Sequence, residues 1–191
     1  MITNILLCGV GGQGTLLASN LLAECAMREG FDVKKSEVHG MAQRGGSVVS
    51  HVRFGPAIHS PLIRKGEADI LLSFEELEAL RWSELLKPKG LVLVNRQRIL
   101  PMSVSAGSSV YPADVFALLE KLPAQVQAVP ALDMAKELGN PKCVNVVLLG
   151  VLARRLPGIK RETWDAGLRE RIPAKLLDLN LKAFERGWNA Q

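Results

Sequence analysis

The opening stretch "NILLCGVGGQGTLLAS" sets G-x-G-x-x-G, at Gly9, Gly11 and Gly14, between an apolar run of strand length and a run with helical spacing. Few local patterns restrict a fold as strongly. Glycines at these positions let the chain turn from a strand directly into a helix. They also let main-chain N–H groups approach whatever lies in front of that helix. Leu16, Leu17, Ala18, Leu21, Leu22, Cys25 and Ala26 recur at the helical period, and Gly30 stops the helix. A strand, a glycine turn and a helix in this order predict a Rossmann-like first βαβ unit.

The remaining chain continues the alternation. "FDVKKSEV" reads as a second strand and "SVVSHVRFG" as an alternating third. "PAIHSPLI" follows it in place of a helix, which predicts one antiparallel excursion. "ADILLSF" reads as a buried strand, "EELEALRWSELLKPKG" as a helix stopped by Pro88 and Gly90, and "LVLVN" as another strand. Pro112 stands near a helix start, where its missing N–H costs nothing. "QVQAVPA" reads as an edge strand, because Pro130 cannot donate to a ladder. Helices are expected over "LDMAKELG", over "CVNVVLLGVLARRLPG" and twice within 161–187. The expectation is α/β: a three-layer α/β/α sandwich with a mostly parallel, mixed sheet, forming one domain over 1–191. Periodicity does not decide whether "VNVVLLGVLA" and "LLDLNLKAF" face the core or a partner.

Several function classes are excluded. No apolar run approaches the roughly 20 residues that span a bilayer. "MITNILLCGV" lacks the basic start of a secretory signal, so a cytoplasmic location and no membrane partner are expected. Three widely spaced cysteines, Cys8, Cys25 and Cys143, with no C-x-x-C, predict buried, reduced thiols and no iron–sulfur or zinc site. His39, His51 and His59 lack the close spacing of zinc ligands. His51, on a strand, reads as a satisfied structural histidine. The net charge of +5 comes without a nucleic-acid motif or a set of stacking aromatics, so no nucleic acid is expected. Phosphate-bearing ligands or an acidic partner fit that charge. Glu75, Glu76 and Glu78 read as the acidic opening of a helix. Thr15 and Ser19 read as a first-turn hydroxyl and a packing residue.

The glycine loop alone leaves two readings open, a dinucleotide cofactor or a structural turn. A dinucleotide fold wants an acid about 20 residues on, at the end of the second strand. Glu37 is the fair match, and no second polar loop at a strand end is evident in the sequence.

A second segment narrows the choice. "SEVHGMAQRGGSVVSHVRFG", Ser36 to Gly55, connects two strands through His39, Gly40, Gln43, Arg44, Gly45 and Gly46. The paired glycines expose main-chain N–H groups, and Arg44 can present a planar fork to a phosphate or carboxylate. "GVGGQGTLLAS" followed by "SEVHGMAQRGGSVVSHVR" resembles the small (beta) subunit of the indolepyruvate ferredoxin oxidoreductases. More broadly it resembles the gamma domain of the 2-oxoacid:ferredoxin oxidoreductases. The likeness runs on through "ADILLSFE", "NVVLLGVLA" and "LNLKAFERGW", and so covers nearly the whole chain.

That resemblance implies a subunit of an enzyme that oxidatively decarboxylates aryl pyruvates from aromatic amino acid catabolism, with coenzyme A as co-substrate. Thiamine diphosphate, Mg and [4Fe–4S] clusters are then expected on a large alpha subunit, with ferredoxin as the indirect partner. This chain is then expected to carry no catalytic residue and to bind no cofactor tightly by itself. Alone it should be colourless and inactive, and a homodimer of the isolated chain stays open. Its binding positions are expected at the carboxyl ends of the strands, in Gly9, Gly11, Gly12, Gln13, Gly14, His39, Gln43, Arg44, Gly45 and Gly46. They would face the coenzyme A diphosphate or the partner's thiamine diphosphate. The alternatives are a free-standing NAD- or FAD-dependent oxidoreductase and a non-enzymatic nucleotide-binding module.

Overall fold

The computed structural model describes residues 1–40 and 46–190. Six strands form one sheet: β1 (Thr3–Val10), β2 (Asp32–His39), β3 (Ser47–Gly55), β4 (Ala68–Ser73), β5 (Leu86–Asn95) and β6 (Gln125–Val129). Their order is β2-β3-β1-β4-β5-β6. β1, β4, β5 and β6 run parallel, while β3 is antiparallel to both neighbours. The mixed sheet is therefore the expected one, with its antiparallel excursion at β3 and Pro130 directly after edge strand β6.

β1 explains the layering. Its side chains alternate across the sheet, and both faces are covered, so nearly every residue is apolar. Ile5 and Leu7 enter one core with α1 (Thr15–Arg28) and the helices of the second half. Leu6 and Cys8 enter the other, beneath α2 (Glu76–Trp82). The sheet also places the short α3 (Met102–Ser105) and α4 (Val115–Leu119) after β5. α5 (Ala131–Glu137) follows β6, and α6 (Val144–Arg154), α7 (Arg161–Arg171) and α8 (Ala174–Trp188) close the chain.

The two C-terminal apolar stretches face each other. Nearly all of α6 is buried, and α8 lies across it with Gly187 against Val147 and Gly150 against Phe184. A Cβ on Gly187 would collide with the Val147 carbonyl oxygen, so the two backbones approach closely only because that side chain is absent. Trp164 on α7 is fully buried and packs on Phe184, with ring centroids 6.0 Å apart. Burial of one such side chain is worth about 3 kcal/mol.

One sequence expectation needs correction. The helix expected to run to Pro88 and Gly90 ends at Trp82, and residues 83–85 make one tight turn into β5. Leu86 pairs with Ala68 and Leu91 with Ile70, so Lys87 to Gly90 bulge out of the ladder. Lys89 takes a left-handed conformation there and donates its N–H to the Pro123 carbonyl. Tertiary pairing thus overrides the helical period. β3 is the third strand expected, and most of it is buried on both faces: Val52 and Phe54 enter the core with α1, and Val49 the other with Ile63.

Candidate functional site

All parallel strands and β2 point the same way, so Val10, His39, Ser73, Asn95 and Val129 end along one edge of the sheet. α1 carries the chain from β1 toward β2, while β4 lies on the other side of β1. The order reverses at β1, which opens a crevice at the carboxyl ends. The glycine loop sits there.

Gly14 takes φ +82° immediately before α1, and no side chain caps that helix end. A left-handed residue at this point costs any side chain but glycine about 1–2 kcal/mol. The loop's amides divide into two sets. Gly9 pairs with Val48 of β3 in the sheet, the Gly11 N–H donates to the Gly46 carbonyl at 2.9 Å, and the Gln13 N–H donates to the Val10 carbonyl at 3.2 Å. Gly12 and Gly14 make no such bond among the described residues, and the first turn of α1 adds further unpaired donors.

Gln13 is a clasp. Its Oε1 accepts from the Val10 N–H at 2.7 Å, and its Nε2 donates to the Phe74 carbonyl at 2.8 Å and to Gln97 Oε1 at 3.2 Å. Asn95, buried at the end of β5, donates to the same Phe74 carbonyl and to Gln97. Asn95-Arg96-Gln97 is the second polar strand-end loop that the sequence reading did not find. Its signal was the lone Asn closing the apolar "LVLVN". Asn95 Oδ1 and Thr15 Oγ1 are buried without a partner, two of three such atoms among the described residues. Unpaired buried polar atoms cost about 1–3 kcal/mol each; Thr15 opens α1 and Asn95 ends β5, and neither lines the cavity.

The crevice is a cavity of about 450 Å³ lined by Gly12, Gln13, Gly14, Gln97, Lys142 and Asn145. Lys142 lies in the tight turn 141–143, headed by Asn140 Oδ1, which accepts the Lys142 N–H at 3.0 Å; Asn145 lies in the first turn of α6 that follows, and both escaped the sequence reading. Asn145 is the one polar residue in the apolar "CVNVVLLG", which was its signal. Its side chain packs against Gly14, its Oδ1 accepts from the Val146 N–H, and its Nδ2 donates to nothing among the described residues.

The β2–β3 connection meets this loop at its foot. His39 ends β2, the Gly40 N–H donates to the Ser47 carbonyl at 2.8 Å, and Gly46 receives the Gly11 N–H. Gln43, Arg44 and Gly45 lie outside the described residues. Behind that foot, Ser47 hydrogen-bonds Glu78, and Trp82 Nε1 donates to Ser47 Oγ at 3.3 Å and to Glu78 at 3.2 Å. Burial pushes the Glu78 carboxyl above its ordinary value. Glu75 caps α2 through the Glu78 N–H and also receives the Ile99 N–H at 3.1 Å and the Tyr111 hydroxyl at 2.7 Å. The three glutamates thus open a helix, as expected, and all three are buried: Glu75 and Glu78 fasten loops, and Glu76 pairs with Arg98 at 2.7 Å.

Glu37 is displaced from the glycine loop. β3 is inserted between β1 and β2, so Glu37 lies two strand spacings from β1, roughly 10 Å. There it faces Lys35 at 3.3 Å and Ser50 at 3.2 Å. His51 is the buried structural histidine expected, with Nδ1 accepting the Ile63 N–H and its proton affinity lowered by burial.

The thiols do not form a cluster site. Cys8 lies in one core, and Cys25 and Cys143 lie in the other; all three are free and buried. Burial raises all three, Cys25 to about 12, the reverse of what a metal-ligating thiolate needs. Among the described residues, no group of three or more His, Cys, Asp or Glu could hold a metal ion. No helix there is long and apolar enough to cross a membrane.

The family model for pyruvate ferredoxin/flavodoxin oxidoreductase matches residues 4–190. The indolepyruvate oxidoreductase subunit IorB of Archaeoglobus fulgidus is 42% identical over 194 residues, covering 99% of this chain and 95% of that one. The gamma subunit of a keto/oxoacid ferredoxin oxidoreductase from Geobacter sulfurreducens shares the fold with a TM-score of 0.73 at 26% identity. That match covers 97% of this chain and 96% of the other. The 2-oxoglutarate:ferredoxin oxidoreductase of Magnetococcus marinus, a structure holding 2-oxoglutarate, coenzyme A and succinyl-CoA, matches with a TM-score of 0.76 at 20% identity. There, 98% of this chain corresponds to 30% of a longer polypeptide.

Proposed function

The chain belongs to the pyruvate ferredoxin/flavodoxin oxidoreductase family, and we propose that it is the small subunit of an indolepyruvate, or related aryl pyruvate, ferredoxin oxidoreductase of the cytoplasm. In this reading its crevice covers the active centre of a large subunit and receives the diphosphate of coenzyme A. The carrying observation is the crevice itself: the amides of Gly12 and Gly14, which make no backbone bond among the described residues, the start of α1 without a side-chain cap and the Lys142 side chain converge at the carboxyl edge. Such a set favours an anion.

The displacement of Glu37 by β3 argues against the free-standing dinucleotide enzyme, because the acid that should grip the ribose is two strands away. Thiamine diphosphate with its Mg and the [4Fe–4S] clusters, held by the large subunit, supply the decarboxylation chemistry and the path of electrons to ferredoxin. This chain binds and orients. Its amides and cations hold phosphate oxygens, Gln13 keeps the loop in shape, and Gly46 joins the β2–β3 connection to it. His39, Gln43, Arg44 and Gly45 complete the face toward the partner. The chain's isolated form is inactive, whether monomeric or self-associated.

Co-expression tests the assignment. Tagged chain should draw the large subunit through purification as a brown complex, and alone should be colourless. A yellow flavin, or thermal stabilisation of the lone chain by NAD, would favour the dinucleotide reading instead.

A further inference from the structure

β3 leads into "PAIHSPLI" rather than into a helix, and that connection has no part in the glycine crevice. Residues 56–67 instead run, without helix or strand, along the edge where β1 and β4 begin. There they wall a cavity of about 540 Å³ whose lining includes Arg53, Arg64 and Glu67 together with Ile2, Ile58 and Leu62. β1, eight residues long, separates it from the crevice by roughly 25 Å. We propose that this cavity binds a free α-amino acid with an apolar side chain. The inference stands apart from the coenzyme A reading, because the two sites lie at opposite edges of the sheet.

The loop is fastened from the strands beneath it. Asp32 accepts the Ile58 N–H at 2.7 Å, His51 Nδ1 accepts the Ile63 N–H at 3.2 Å, and Glu67 Oε2 accepts the Arg64 N–H at 3.3 Å. Arg53 Nη1 donates to the carbonyls of Ser60 and Leu62, both at 3.0 Å. A wall fixed in this way is shaped before a ligand arrives, so binding costs less ordering.

The charges are left uncompensated. Arg53 is half-buried, and its remaining bond runs from Nε to Asn4 Oδ1 at 2.8 Å. All of its acceptors are neutral, and among the described residues no carboxylate pairs with it and Nη2 donates to nothing. A guanidinium withdrawn from water without a counter-charge favours an anion, and a carboxylate matches its planar fork. Arg64 is exposed and also forms no ion pair among the described residues. Glu67 supplies the opposite pole, since its Oε1 accepts nothing among those residues. Ile2 and Leu62 are 40% and 52% exposed, large apolar side chains without cover, and Ile58 is buried beside them.

Two cations, one acid and an apolar wall match the three parts of one ligand. Its carboxylate meets Arg53 and Arg64, its ammonium meets Glu67, and its side chain covers Ile2, Ile58 and Leu62. A phosphate ester would meet Glu67 as a like charge, and a simple carboxylate would leave Glu67 unanswered. The volume lies within the roughly 300–1,000 Å³ of small-ligand clefts.

Isothermal titration of the full chain with L-phenylalanine, 3-phenylpropionate and 2-phenylethylamine tests this, because the two analogues each lack one charged group. L-phenylalanine should bind saturably, and each analogue about tenfold more weakly, the worth of one charged contact. R64A should weaken L-phenylalanine and 3-phenylpropionate alike by about tenfold. E67Q should bring L-phenylalanine down to the affinity of 3-phenylpropionate. An unchanged thermal midpoint of each variant without ligand confirms that it folds. No saturable binding of L-phenylalanine or L-leucine at millimolar concentration would overturn the site. Either analogue bound as tightly as L-phenylalanine, or binding that neither variant weakens, would overturn it too.

Discussion

The main-chain N–H of Gly11 donates to the carbonyl of Gly46 at 2.9 Å, which ties the glycine loop to the last residue of the β2–β3 connection. The two segments singled out in the sequence are thereby one structural unit at the carboxyl edge.

Arg44 lies two residues before that tie in the sequence. Replacing it with Ala should raise the KM for coenzyme A in the reconstituted complex by about tenfold, the worth of one charged hydrogen-bond donor. Steady-state kinetics with coenzyme A as the varied substrate measures this. An unchanged KM removes Arg44 from the site.

Gly14→Ala should act on both stability and binding. The backbone at φ +82° disfavours a side chain, and the new Cβ would press on Asn145. The expected cost is about 1–3 kcal/mol in urea unfolding, with weakened binding of coenzyme A. Equal stability would show that Asn145 moves aside freely.

Gly187→Ala tests the contact between α6 and α8. Its Cβ would meet the Val147 carbonyl, which cannot swing away as a side chain could. A loss of about 3 kcal/mol, or failure to fold, is expected. Gly158→Ala is the control, because its Cβ would meet only the Phe31 ring at 3.6 Å. That variant should unfold within about 0.5 kcal/mol of the unsubstituted chain.

Glu78 gives a pH signature of unusual sign. Its folded pKa is raised above the ordinary 4.5 by burial, so the folded state binds its proton more tightly than the unfolded state does. Its contribution is fully present below 4.5 and is lost as pH rises through the raised value. Subtracting the stability–pH curve of Glu78→Gln from that of the unsubstituted chain should leave a difference that falls across this window. A flat difference would mean that Ser47, Trp82 and Arg81 fully compensate the buried charge.

Much of this was legible in the sequence because local chemistry and tertiary role agree. The glycine turn needs Gly14 at positive φ, β1 is apolar on both faces, and Pro130 sits beside an edge strand. Where local and tertiary demands conflict, the reading failed. The period of "EELEALRWSELL" continues past Trp82, yet β5 takes Leu86 to pair with Ala68. Lys142 and Asn145 were missed because they come from the turn 141–143 and the first turn of α6, some 130 residues beyond the loop they face, a proximity no local pattern encodes.

The most direct measurement is coenzyme A-dependent reduction of ferredoxin by indolepyruvate, with this chain alone, the large subunit alone, and both together. The account predicts turnover only from the mixture, saturable in coenzyme A. Turnover by this chain alone, or by the large subunit at the full rate without it, would contradict the account.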